Sequence, residues 1–73
     1  MRYRVFLFIE DELDDDYGEF HYLEKAEKEA LKISRKFKGP KATAKIFEVD
    51  EASLFPRDGR LIQTWQMGRR IKN

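Results

Sequence analysis

Across residues 19–38 the apolar side chains fall at Phe20, Leu23, Ala26, Ala30, Ile33 and Phe37. Steps of three and four lay them along one stripe of an α-helix. The ends of the run carry matching signals. Asp16 and Gly18 offer N-cap chemistry, Glu19 suits the positive end of the helix dipole, and Arg35, Lys36 and Lys38 gather at the negative end before Gly39 and Pro40. A helix with one apolar stripe is not stable alone in water, so the stripe needs a second layer.

Three shorter runs have the composition to supply that layer. Residues 2–10 are rich in Val, Ile and Phe and read as a strand. Residues 41–50 read as a second, with Ala42, Ala44 and Ile46 on one face, small enough for a helix to approach closely. Residues 60–67 read as a third, with Leu61, Trp65 and Met67 on one face and Ile62 and Thr64 on the other. Pro56, Arg57, Asp58 and Gly59 mark a turn between the last two. The end of the chain, with Arg69, Arg70 and Lys72, is expected to fray.

The order β-α-β-β predicts an α+β fold in one domain over residues 1–73. A parallel crossover followed by a hairpin gives a three-stranded antiparallel sheet of order 1-3-2 with the helix on one face and Trp65 on the central strand. Order 1-2-3 is the alternative. Both leave the first strand on an edge. That strand is apolar on two sides, with Tyr3, Val5, Leu7 and Ile9 opposed to Phe6 and Phe8. One helix covers one set, and the pattern does not say which.

Composition sets bounds on this picture. With 73 residues and 41% apolar side chains there is enough for one small core. A domain of this size buries only about 60% of the surface its unfolded chain exposes, so its stability is marginal. There is no cysteine, hence no disulfide or thiolate chemistry, which fits a reducing compartment. No apolar run approaches the roughly 18 residues of a membrane span, and residues 5–9 are too short for a signal peptide core, so a soluble, cytoplasmic protein is expected. Charge is segregated: residues 1–31 carry ten acids and four bases, residues 32–73 four acids and eleven bases. Folding either interleaves these halves or leaves two oppositely charged surfaces.

The acids concentrate at Glu10, Asp11, Glu12, Asp14, Asp15, Asp16 and Glu19. Mutual repulsion favours an extended, solvated loop leading into the helix, or a docking surface for a basic partner. A calcium loop fits poorly, because no register starting at Asp11, Asp14 or Asp15 supplies both the glycine at position six and the glutamate at position twelve. His21, the single histidine, has no second His or Cys to join it in a metal cluster.

Catalytic patterns are missing. Ser34 and Ser53 lack a recognisable base, the four glycines are scattered, and so short a chain has little room for a pocket of about 300 Å3. No enzyme, metal site or cofactor is expected. Two binding readings remain. Arg4, Phe6 and Phe8 are similar to the alternating aromatics on which RNA-recognition sheets stack bases, and Lys41, Lys45, Arg69 and Arg70 would supply cations for phosphate. The glycines of that motif are missing, and the acidic run would repel phosphate. The favoured reading is a protein-binding module, in which Arg4, Phe6 and Phe8 with Asp11, Asp14, Asp15 and Asp16 dock on a larger protein or on a second copy by strand addition.

In length, charge and β-α-β-β element order the whole chain resembles small bacteriophage transcription regulators that bind host bacterial RNA polymerase. The resemblance implies a non-enzymatic regulator that occupies a polymerase surface and inhibits or redirects transcription.

Overall fold

The computed structural model describes residues 2–49 and 59–72. In chain order the elements are β1 (Arg2–Ile9), β2 (Glu12–Phe20), α1 (Leu23–Lys36), β3 (Ala42–Val49), β4 (Arg60–Gln66) and β5 (Arg69–Lys72). The five strands form one antiparallel sheet of order β2-β1-β3-β4-β5, and the helix packs on one face of it.

This corrects the expected three-stranded sheet of order 1-3-2. Two segments read as non-strand are strands. The acidic run forms β2, and the basic tail forms β5. Because β2 turns back along β1, the helix connects β2 to β3, and those two parallel strands lie on either side of β1. The crossover therefore skips β1 instead of leaving it, and β1 pairs directly with β3 from Arg2↔Val49 to Ile9↔Ala42. β1 is consequently an interior strand. The central strand is β3, while Trp65 sits on β4, one place further out.

Two-residue turns close both terminal hairpins. Glu10 and Asp11 have φ of 54° and 67°, and Met67 and Gly68 have 50° and 78°. Positive φ at both central residues is the turn whose twist matches that of paired strands. In β2 the register slips twice against β1, once where two residues, Tyr17 and Gly18, stand opposite Val5, with Gly18 taking a φ of 109° closed to most side chains.

The helix is shorter than its apolar stripe, running over Leu23–Lys36. Its N-cap is Tyr22, which makes no side-chain cap, so Asp16 and Gly18 belong to β2 instead. At the other end the Phe37 amide donates to the Ile33 carbonyl. Phe20 and Phe37 lie outside the helix yet join the same core. That core is made by Ala26, Ala30 and Ile33 of α1 against Val5 and Leu7 of β1 and Ala42, Ala44 and Ile46 of β3, with Tyr3, Tyr17, Leu23 and Trp65 packed around it. The alanines let helix and sheet approach closely, as their size predicts.

On β4 an irregularity between Ile46 and Phe47 of its partner breaks strict alternation. Leu61 pairs with Phe47 and Trp65 with Ala44, so Leu61 and Trp65 face opposite ways and not the same way. Gln63 is buried beside Trp65 and links it to the helix: its amide donates to Glu27 at 2.7 Å and its carbonyl accepts from the Trp65 indole at 2.9 Å. The Pro56, Arg57 and Asp58 turn lies outside the described residues.

Candidate functional site

The first strand resolves the question of its two faces. Val5 and Leu7 meet the helix, which leaves Arg4, Phe6 and Phe8 on the opposite side, above Phe47 and Lys45 of β3. No described element packs on that side. Phe6 meets Phe47 edge to face, with ring centroids 5.8 Å apart, and Phe8 lies 6.3 Å from the same ring. The Lys45 ammonium stands 4.6 Å over Phe8, and the Arg4 guanidinium 5.6 Å over Phe6. Each is a cation placed on the electron-rich face of a ring.

Exposure differs sharply within this group. Phe6 is only 2% exposed, so it supports the surface without offering its own face. Phe8 and Phe47 are half-buried, and Leu13, paired with Phe8 from β2, is 49% exposed. The accessible apolar patch is therefore Leu13, Phe8 and Phe47.

Around it the acidic strand is sorted into two sets. Asp16 and Glu19 turn inward to the arginines of β1: Arg4 reaches both, at 3.4 Å for Glu19, and Arg2 pairs with Glu19. These contacts answer the repulsion that made the run look unable to form a strand. The Arg2 hydrogen bond, helped by the positive charge of Arg2 and Arg4 and opposed by partial desolvation, holds the Glu19 carboxyl below the usual 4.5. On the helix side of β2, Tyr17 packs edge to face on Phe37, 6.4 Å away. Burial first, then the negative charge of Asp15, Asp14 and Glu29, pushes its hydroxyl pKa up. Glu12, Asp14 and Asp15 stay exposed, with no ion pair among the described residues.

All seven residues expected to bind a partner protein, Arg4, Phe6, Phe8, Asp11, Asp14, Asp15 and Asp16, lie on the single hairpin β1–β2. What that hairpin does not have is the free backbone edge expected of β1, which is closed by β2 on one side and β3 on the other. The edge belongs to β2. Sequence reasoning missed Leu13 and Phe47. The signal for Leu13 was its apolar character in a segment otherwise polar, legible only once β2 was known to be a strand, whereas Phe47 stood in a run already read as a strand and was simply given no role.

The seven residues of the nucleic-acid reading are dispersed. Arg4, Phe6, Phe8 and Lys45 share the helix-free face, but Arg69 and Arg70 lie on the far edge strand and Lys41 lies beyond the sheet end, paired with Glu10 at 2.9 Å. At that end Glu10, Asp11, Pro40, Lys41 and Thr43 line an open depression of about 370 Å3, roomier than the length predicts. It holds no His, Ser or Cys, and its amine is already engaged by Glu10. Among the described residues no group of three or more His, Cys, Asp or Glu side chains could hold a metal ion, and no helix is long and apolar enough to cross a membrane.

Comparison with known proteins finds no matching family, no matching curated protein and no matching solved structure.

Proposed function

We propose that this chain is a non-enzymatic protein-binding module that docks through the helix-free side of the β1–β2 hairpin. One observation carries the reading: the apolar patch of Leu13, Phe8 and Phe47 reaches the acidic edge strand, where exposed Asp14 follows Leu13 and Asp16 shares the face of the patch. An apolar centre with a charged rim is the usual anatomy of a specific interface, and this rim asks for basic side chains on the partner. Base stacking is less well supported, since Phe6 is buried, Arg4 is committed to Asp16 and Glu19, and Lys45 already occupies the ring of Phe8.

Bacterial RNA polymerase is the partner we propose, and the cytoplasm the setting. What supports it is the resemblance in length and charge to phage regulators; the element order, now β-β-α-β-β-β, no longer contributes. The test is direct binding of the labelled protein to purified bacterial RNA polymerase. Saturable binding that weakens tenfold or more on Phe8→Ser with Leu13→Ser is the expected result. Binding untouched by those changes would move the site elsewhere, and no binding would remove the polymerase. Affinity for single-stranded DNA falling with salt at a log-log slope of about −0.7 per phosphate contact would favour the nucleic-acid reading instead.

A further inference from the structure

The sheet ends in two unlike edges. Its first edge strand, β2, carries Glu12, Asp14, Asp15, Asp16 and Glu19 and no base. Its last, β5, is Arg69, Arg70, Ile71 and Lys72, with no acid. Among the described residues neither pairs with any strand beyond its one neighbour, so each presents a row of backbone donors and acceptors. Glu12, Asp14 and Asp15 on one edge and Arg69 and Arg70 on the other make no ion pair among the described residues.

From this we infer that the occupant of the β2 edge is the β5 edge of a second copy, giving a head-to-tail contact between identical chains. Symmetry and charge together select it. A two-fold dimer through an edge joins β2 to β2 or β5 to β5, setting like charges on neighbouring strands, which is destabilising. A β5-to-β2 contact sets opposite charges side by side instead. The helix side matches best: Arg70 lies there with Trp65, as do Glu12 and Asp15 with Ile9 and Leu7, while Arg69 lies on the other side, where Asp16 and Glu19 already pair with Arg4 and Arg2. The strands of the sheet alternate in direction, so β2 and β5 run the same way, and copies with their helices on one side join in parallel. Two register slips in β2 and one in β5 keep the ladder short. The contact is therefore weak, driven by charge, and open-ended, because each copy keeps one free edge of each sign. It needs no partner protein, so its fate is independent of the polymerase reading, although a partner and a second copy would compete for β2.

Sedimentation velocity over a concentration series tests it. At low salt the wild type is expected to grow past the dimer with concentration and to return to monomer near 1 M salt, where the screening length falls to about 3 Å. Glu12→Gln with Asp14→Asn and Asp15→Asn, and separately Arg69→Gln with Arg70→Gln, should each be monomeric under the same conditions, with unchanged circular dichroism. Mixed one to one, the two variants should form a species no larger than a dimer, because each contributes one intact edge. A wild type that stays monomeric at low salt, or growth that either variant alone retains, or growth insensitive to salt, overturns the proposal; the salt series on the wild type decides it even if a variant does not fold.

Discussion

The two terminal hairpins solve one problem in different ways. Both reverse the chain in two residues at positive φ, and both end the sheet in a strongly charged edge strand. In β4–β5 the turn contains Gly68, whose amide donates to the hydroxyl of buried Ser34 at 3.1 Å, so the turn is tied to the helix beneath. The β1–β2 turn has Glu10 and Asp11 where glycine or asparagine would cost less, and its strand is made of residues that disfavour sheets. What holds β2 is side chains: Tyr17 and Phe20 packed against the core on one face, Asp16 and Glu19 paired with β1 arginines on the other. Tertiary contacts override local preference at two turn positions and along the strand there, whereas in β4–β5 only Met67, at a φ of 50°, runs against it.

Both hairpins rest on the one core that Ile33 fills. Ile33→Ala should destabilise the chain by about 2–5 kcal/mol, and both hairpins should melt in one transition. A thermal melt that resolves two transitions would mean the hairpins do not rest on one core. Next comes Tyr17→Ala, which strips half-buried aromatic area from β2 alone and should cost about 1–3 kcal/mol. Amide exchange should then accelerate in β2 before β5, and equal acceleration would contradict the division.

A smaller effect of opposite sign sharpens the contrast. Replacing Glu10 by Asn and Asp11 by Gly gives the first turn the residues its backbone asks for and should stabilise by about 1–2 kcal/mol, because a left-handed conformation costs an ordinary residue roughly that much. The lost Glu10–Lys41 pair is highly exposed on both sides and offsets little of the gain. Denaturant midpoints measure it, and a loss of stability would show that Glu10 does more than turn the chain. The smallest effect is on pH. The Glu19 carboxyl titrates below the ordinary 4.5, so its contribution is complete above that value and lost as pH falls below it. Protection of β2 should fade in that acid window, and Arg2→Gln should lessen the fading to the part that Arg4 supports; fading undiminished by the substitution would assign it to another carboxylate.

How much could be read in the chain follows the same division. The helix face was legible because Ala26, Ala30 and Ile33 repeat at helical spacing and all three are buried. The ends of the helix were not. Phe20 continues the helical spacing by accident and is held in β2 by the core it shares with Leu23. The acidic run read as loop because repulsion among its carboxylates is local and visible, while its remedy, Arg2 and Arg4, lies across a hairpin. With hindsight the alternation of Arg2, Arg4, Phe6 and Phe8 asked for acidic neighbours. The nucleic-acid set is dispersed because Arg69 and Arg70 lie on the far edge strand and Lys41 beyond the sheet end, and Phe6, exposed in the pattern, is covered by Phe47 and Arg4. The partner-binding residues share the β1–β2 hairpin because they are close along the chain, yet Asp15 lies on the helix side, opposite Arg4, Phe6 and Phe8.

If β1 is an interior strand closed by the acidic β2, amide hydrogen exchange along residues 4–8 will show it. Successive amides of a strand point to opposite sides, so an interior strand protects consecutive residues and an edge strand protects alternate ones. Slow exchange is expected at consecutive positions through Val5, Phe6 and Leu7. A strict slow-fast alternation there, with fast exchange throughout residues 12–20, would contradict it.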